Sequence, residues 1–400
     1  MTPTAAAAAE RVARESYGRL VARLAWQWRD LAAAEDALSE AFAAALHHWP
    51  VQGVPDAPEA WLAAAARRRL LHHARHARLT QDPRVTALLD DAEPEAPEQQ
   101  AVPDARLQLM FICAHPALAA NVHAPLMLQA VLGLDAKVIA SAFLVSPASM
   151  AQRLVRAKVR IRETGLRFEV PEARELPARM AAVLEAIYGA YTLGRHGPDT
   201  PDGDLREEAL FLARLAAQLL PAQAEAQGLL ALLLHAEARR VAQFDTAGRF
   251  VPLPAQDPAA WRGDLVQEAE AALWSAAKLR QPGPFQIEAA IQSAHAQRRS
   301  TGHTPWRAIA QLYGVLVQHH PSLGARVGRA VAQAEAGDPA AALAMLDALS
   351  PEAVAGYASY WVARAHVLRL AGAPGRGEAL QRAIGLTDDP RLHEFLIHQA

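Results

Sequence analysis

Ser146-Pro147 followed by Met150, Leu154, Ala157 and Ile161 constrains the fold more than any other stretch of the chain. A serine side chain accepts a hydrogen bond from a free N–H of a first helical turn, and proline at the first helical position has its φ already set. The apolar residues then recur every three or four positions, the spacing of an amphipathic helix rather than a strand. Ser149, Gln152, Arg153, Arg156 and Arg160 fall beside that stripe, so one face packs and its neighbour is polar and basic. Upstream, Ala136 to Phe143 reads as a short helix with Ile139, Ala140 and Phe143 inward, and only Leu144-Val145 separates it from Ser146. Two helices joined in this way form a helix-turn-helix. The second would offer Ser149, Gln152, Arg153 and Arg156 to base edges in a major groove, with Lys158, Arg160 and Arg162 near phosphates. The same spacing also describes an amphipathic helix with a solvated basic face.

At 400 residues the chain exceeds one small core and implies two or three domains. Alanine is abundant and aromatic residues make up only 6% of the chain, which favours closely packed helices and an all-α fold. The net charge of −2 excludes a chain that is basic throughout, so any nucleic-acid site must be local. Charge is in fact sorted along the sequence. Arg67, Arg68, Arg69, Arg75 and Arg78 occur without an acid between Trp61 and Thr80, whereas Asp82 to Asp104 holds seven acids against Arg84 alone.

The single Cys113 excludes an internal disulfide and fits a reducing compartment. Cys113 and His115 lack further ligands, which favours a buried thiol over a metal site. His72 and His76 are one helical turn apart, but there is no His-Glu-x-x-His and no third ligand, so an exposed basic surface is the better reading. No nucleophile motif or glycine-rich phosphate loop supports an enzyme, and no cofactor or metal is expected. No run approaches the ~20 apolar residues of a membrane span, which leads us to expect a soluble, cytoplasmic protein without a membrane partner.

Ala8 to Trp28 reads as one amphipathic helix and a second begins near Ala32. In the second, Leu38, Ala41, Phe42 and Ala45 share one side while Asp36, Ser39 and Glu40 turn away and Glu35 lies at the margin. The helix dipole alone favours acids near such a start. Trp49 to Pro58 reads as a loop because it holds Pro50, Gly53, Pro55 and Pro58, and a basic helix follows from Glu59 to Arg78 with Trp61 inward. Gln81 to Asp104 is acidic and proline-bearing, the composition of a flexible linker.

Beyond about residue 170 the chain remains helical and is punctuated by Pro221, Pro254, Pro284, Pro321, Pro351 and Pro390. Helix pairs are expected at Leu205 to Leu220 with Ala222 to Arg239, Ala259 to Leu279 with Phe285 to Ser300, and Trp306 to His319 with Leu323 to Ala336. A hairpin or loop is expected at Phe244 to Pro254. Gly337-Asp338-Pro339-Ala340-Ala341-Ala342-Leu343 and Gly372-Ala373-Pro374-Gly375-Arg376-Gly377-Glu378-Ala379-Leu380 recur at a spacing of 35 residues, close to the ~34-residue tetratricopeptide period.

Val138-Ile139-Ala140, Phe143, Ser146, Met150, Arg153-Leu154 and Arg156-Ala157-Lys158 resemble region 4 of an extracytoplasmic-function sigma factor, which reads the promoter −35 element. The chain departs from many relatives at Leu144, where they carry a turn glycine. Ala34-Glu35-Asp36-Ala37-Leu38-Ser39-Glu40-Ala41-Phe42 is similar to sigma region 2.2, and the resemblance assigns Glu35, Asp36, Ser39 and Glu40 to core RNA polymerase. It likewise assigns Arg67, Arg68, Arg69, His72, His73 and His76 to the −10 element, and Ser149, Gln152, Arg153, Arg156, Lys158 and Arg160 to the −35 element of promoter DNA. His72-His73-Ala74-Arg75 replaces the Asp-Arg-Leu-Arg type sequence of many relatives.

Together with Pro252-Leu253-Pro254-Ala255-Gln256-Asp257, Trp261 and Pro282-Gly283-Pro284-Phe285-Gln286, the order resembles the group 42 subgroup with its tetratricopeptide-like C-terminal extension. That resemblance implies sigma region 2 at 1–80, an acidic linker at 81–105, a region 4 helix-turn-helix at 106–168 and a TPR-like repeat domain at 175–400. The repeats would regulate by packing on the sigma modules or by receiving a protein or ligand; a stabilising appendage is the plainer alternative. A repeat-based scaffold or DNA-binding regulator acting without polymerase shares the helix-turn-helix but gives the acidic helix no task.

Overall fold

The computed structural model describes residues 4–79, 104–143, 145–164, 174–194 and 203–399. Among these the regular structure is helical apart from one isolated antiparallel bridge, Phe244 to Phe250, as an all-α fold requires. The chain divides into two compact units, Met1–Leu219 and Leu220–Ala400.

In the first unit, Thr4 caps α1 (Ala5–Trp28) by accepting from the Ala7 N–H at 3.2 Å. Arg29 turns the chain with a φ of 52°, and Asp30 caps α2 (Leu31–Gln52) by accepting from Ala33 N–H at 3.0 Å. Leu31, Ala34, Glu35, Leu38, Ala41, Ala45 and Trp49 are buried along one side of α2. The expected loop from Trp49 begins later, because α2 runs through Pro50 and ends at Gly53, whose N–H donates to the Trp49 carbonyl. Pro50 sits in the last turn, where its missing N–H costs one bond at an already fraying end. α3 (Pro58–Leu79) completes a three-helix bundle through buried Leu62, Ala66 and Leu70, and its Glu59 accepts from Ser16 Oγ on α1 at 2.9 Å.

The helices that follow are α4 (Ala105–Cys113), α5 (Ala120–Ala130), α6 (Ala136–Ala142), α7 (Pro147–Thr164), α8 (Leu176–Leu193) and α9 (Gly203–Leu219). α4 is buried at every residue from Arg106 to Cys113, so it needs neighbours on all sides. α1, α5 and α8 supply them. This places the division of the chain at 219, not near 170. α8 buries Leu176, Met180, Val183, Leu184 and Ile187, and Arg179 donates to the Phe111 carbonyl at 3.2 Å. Glu208 on α9 pairs with the buried Arg106 of α4. Helices 176–219 therefore complete the first core instead of opening a repeat array, and α9 does not act as the first member of a pair with Ala222 to Arg239.

The second unit opens with α10 (Ala224–Ala238), buried over Leu229 to His235, against α11 (Gly263–Lys278) and α12 (Pro284–Ala296). The Glu225 carboxylate accepts from the Phe285 and Gln286 N–H groups at 3.0 and 2.9 Å, capping α12 from a neighbouring helix. A Cβ on Gly228 would lie 2.6 Å from Gln286 N, so Gly228 permits this approach and Pro282-Gly283-Pro284 is a structural joint. Trp261 is buried beneath the Arg298 guanidinium, which also donates to the carbonyls of Leu253 and Pro254. The short α13 (Arg298–Thr301) leads into α14 (Trp306–His319), α15 (Leu323–Glu335), α16 (Pro339–Asp347), α17 (Pro351–Val354), α18 (Ala358–Ala371), α19 (Arg376–Gly385) and α20 (Pro390–Gln399).

Neighbours along this series pack in pairs, α14 on α15 and α18 on α19, around successive apolar clusters. The two similar stretches 35 residues apart both reverse the chain with left-handed glycines, Gly337 at φ 104° and Gly372 at φ 62°. Asp338 then caps α16, while Gly375 precedes α19. No single helix among the described residues is long and apolar enough to cross a membrane.

Candidate functional site

Two charged surfaces lie on the first unit. On α2, Asp36 and Ser39 face solvent. Glu35 does not: it is 8% exposed, and its Oε2 meets Lys158 Nζ of α7 at 2.6 Å. Burial holds its carboxyl above the ordinary range despite that ammonium, and Asp36 and Asp30 push the same way. Glu40 faces α3 and pairs with Arg69 at 2.9 Å.

On α3, Arg67, Arg68, Arg69, His72 and His73 are exposed. Arg67 donates to the Gln27 side-chain oxygen at 3.0 Å and Arg68 to the Ala64 carbonyl at 3.3 Å. The His72 and His73 rings stand 6.3 Å apart. The side chain of His76 lies outside the described residues. Trp61 packs edge-on to buried Trp49 at 5.6 Å, an inward role.

Helix α7 has the expected start and stripe. Ser146 Oγ accepts from Ser149 N–H at 3.3 Å, and Met150, Leu154, Ala157 and Ile161 are buried. α6 and α7 meet at 110°; Leu144 lies outside the described residues. Gln152, Arg156 and Arg160 are exposed, and Ser149 and Arg153 are half-buried. Lys158 is set apart from these by its bond to Glu35. Cys113 is fully buried and burial pushes its thiol pKa up, away from thiolate chemistry. His115 Nδ1 accepts from Ala117 N–H at 3.1 Å, a turn role. Among the described residues, no three His, Cys, Asp or Glu side chains gather as metal ligands.

Residues 14–80 match the family described as Sigma-70 region 2. This match, over the N-terminal segment, supports a sigma factor. Residues 179–277 match a family of unknown function, DUF6596. The uncharacterized protein R00370 of Rhizobium meliloti (strain 1021) is 39% identical over 369 residues, covering 90% of this chain and 87% of the relative. No solved structure matches.

The matched residues form the bundle of α1, α2 and α3, and the match supports a role in binding core RNA polymerase and in transcription initiation. The DUF6596 match straddles the two units, with α8 and α9 in the first and α10 and α11 in the second. Sequence reasoning missed two features of these surfaces. Val155, 60% exposed, stands between Gln152 and Arg156 on the outer face of α7; its i+3 spacing from Gln152 was the available signal. Glu35 and Lys158 both occupy stripe positions, one turn after Leu31 and Leu154 respectively, where a charge must find a partner.

Proposed function

We propose that this sigma factor is of the extracytoplasmic-function type, of group 42, acting in the cytoplasm and reading promoters through two helices. Asp36 and Ser39 on α2 meet the polymerase, joined by Glu35 and Glu40 when their present partners let go. The α3 surface of Arg67, Arg68, Arg69, His72, His73 and His76 lies along the −10 element, chiefly through arginine–phosphate contacts. α7 enters the major groove at the −35 element as the second helix of a helix-turn-helix. Ser149, Gln152, Arg153 and Arg156 reach base edges, Arg160 and Lys158 reach phosphates, and Val155 offers an apolar contact to a thymine methyl. A crossing angle of 110° agrees with the geometry of such motifs. The helices of the second unit, read as TPR-like pairs, regulate the sigma modules or receive a protein or ligand.

The observation that carries the reading is the region 2 match over residues 14–80 in a chain that also presents a capped, outward-facing basic helix on α7. Transcription with purified core polymerase, with and without the chain, over a pool of genomic fragments tests it. A start-site-specific transcript that depends on the chain is expected. No transcript together with no polymerase binding would leave a DNA-binding regulator as the better account.

A further inference from the structure

The last helix of the second unit returns to a turn near that unit's beginning. The Phe395 ring of α20 meets the Phe250 ring edge-on, with centroids 5.4 Å apart, and the Arg391 guanidinium lies 4.6 Å from the centre of the Phe244 ring. Between the two segments is a cavity of about 320 Å³ lined by both. That size is within the range of small-molecule sites, roughly 300–1,000 Å³.

Both walls are fixed by their own bonds. In the turn, Gly248 reverses the chain at φ 77°, and Asp245 Oδ1 accepts from the Ala247 and Arg249 N–H groups, each at 2.9 Å. Asp245 Oδ2 accepts from Arg249 Nε at 2.8 Å, so the Asp245 and Arg249 charges answer each other. On α20, Asp389 accepts from the Arg391 and Leu392 N–H groups at 2.9 and 3.3 Å, Leu396 is buried, and Arg376 of α19 donates to the Gln399 carbonyl at 2.6 Å.

Two opposite charges in the lining remain weakly committed. The Arg391 guanidinium lies over a ring and has no carboxylate partner among the described residues. Glu394, 60% exposed, reaches only His398, at 4.0 Å, an exposed pair of little strength. Arg391 and Glu394 are three residues apart on a helix, so they are surface neighbours, about 5–6 Å apart at Cβ. Phe250 and Phe395 stand beside them in the same lining. An anion alone meets Glu394 and a cation alone meets Arg391, while an apolar molecule strips water from both charges without replacing it. A zwitterion with an apolar side chain satisfies all three parts.

We infer that this cavity binds an α-amino acid with an aromatic or large aliphatic side chain, its carboxylate on Arg391, its ammonium on Glu394 and its side chain against Phe250 and Phe395. The site belongs to the second unit alone and does not depend on the sigma reading. Its walls come from the beginning and the end of that unit, so an occupant ties the two together and stabilises the folded state.

Isothermal titration of the full chain with L-phenylalanine tests this, with 3-phenylpropionate and phenethylamine supplying the same side chain with one charge missing. Saturable binding of L-phenylalanine, at least about tenfold tighter than either, is expected, together with a rise in melting temperature. Arg391→Gln should weaken L-phenylalanine at least about tenfold. Glu394→Gln, at an exposed position, should erase the preference for L-phenylalanine over 3-phenylpropionate. Absence of saturable L-phenylalanine binding overturns the site, as does equal affinity of the native chain for phenethylamine or 3-phenylpropionate. Unchanged L-phenylalanine affinity in an Arg391→Gln protein with native circular dichroism overturns it too.

Discussion

Glu35 in the first unit and Glu288 in the second are both carboxylates drawn out of water, but Glu35 meets the Lys158 ammonium whereas the nearby charge at Glu288 is another carboxylate, Glu225. Burial raises the pKa of both, and at Glu288 the like charge adds to it, pushing the value up to about 7. The difference separates two uses of a buried acid. Glu35 joins two helices of the first unit, α2 and α7, through its contact with Lys158. Glu225 is committed within its own unit to the start of α12 through two backbone N–H groups, and Glu288 bears the electrostatic consequence.

Removing the cation makes the first site resemble the second. Lys158→Met should destabilise the first unit by about 3–5 kcal/mol in urea unfolding at pH 8, because a buried charge loses its partner. The loss should shrink as pH falls and Glu35 takes up a proton. Adding Glu35→Gln should recover most of it; an undiminished loss in the double variant would mean that Lys158 acts through packing, not charge.

The converse change at the second site removes the acid. The folded pKa of Glu288 lies near 7, above its ordinary 4.5, so its contribution to stability is complete below about 4.5 and is lost as pH rises through 7. Glu288→Gln should therefore raise second-unit stability at pH 8 by about 2–3 kcal/mol and flatten the pH dependence. A melting profile with the native slope would assign that slope to another group.

The contrast extends to the cations that are not buried. Arg156→Ala should cost about 1–3 kcal/mol on a selected −35 duplex and far less on random DNA if the guanidinium reads a base; equal losses in fluorescence anisotropy on both would place it on phosphate. Arg67→Ala, on the side chain that already bonds Gln27, should weaken binding on the order of 1 kcal/mol or less on all sequences and lower the salt slope by about one.

The sequence carried the helical class and the whole outline of α7, because a serine cap, a proline at the first position and a spaced apolar stripe are local signals. Ser146, Met150, Leu154, Ala157 and Ile161 occupy the positions that outline demanded. What periodicity conveyed poorly was which polar residues the packing would claim. By spacing alone Glu35 falls at the margin of α2 and Lys158 within a basic face. Each breaks an apolar stripe, and the partner that reconciles it lies more than a hundred residues away, beyond the reach of local pattern. The boundary near 170 was misleading for a related reason. α8 and α9 resemble in composition the helices after them, and only the fully buried α4 shows that they are needed earlier.

That division at Leu219 bears on how such a protein is inherited. The segment matched by DUF6596 supplies walls to both units, so a recombination event that joins a foreign C-terminal half near residue 175 leaves Phe111 and Arg106 facing water and the newcomer with two helices it has no core to receive. A crossover between 219 and 224 exchanges the same cargo while cutting neither core, and chimaeras from that narrow seam are the ones expected to survive.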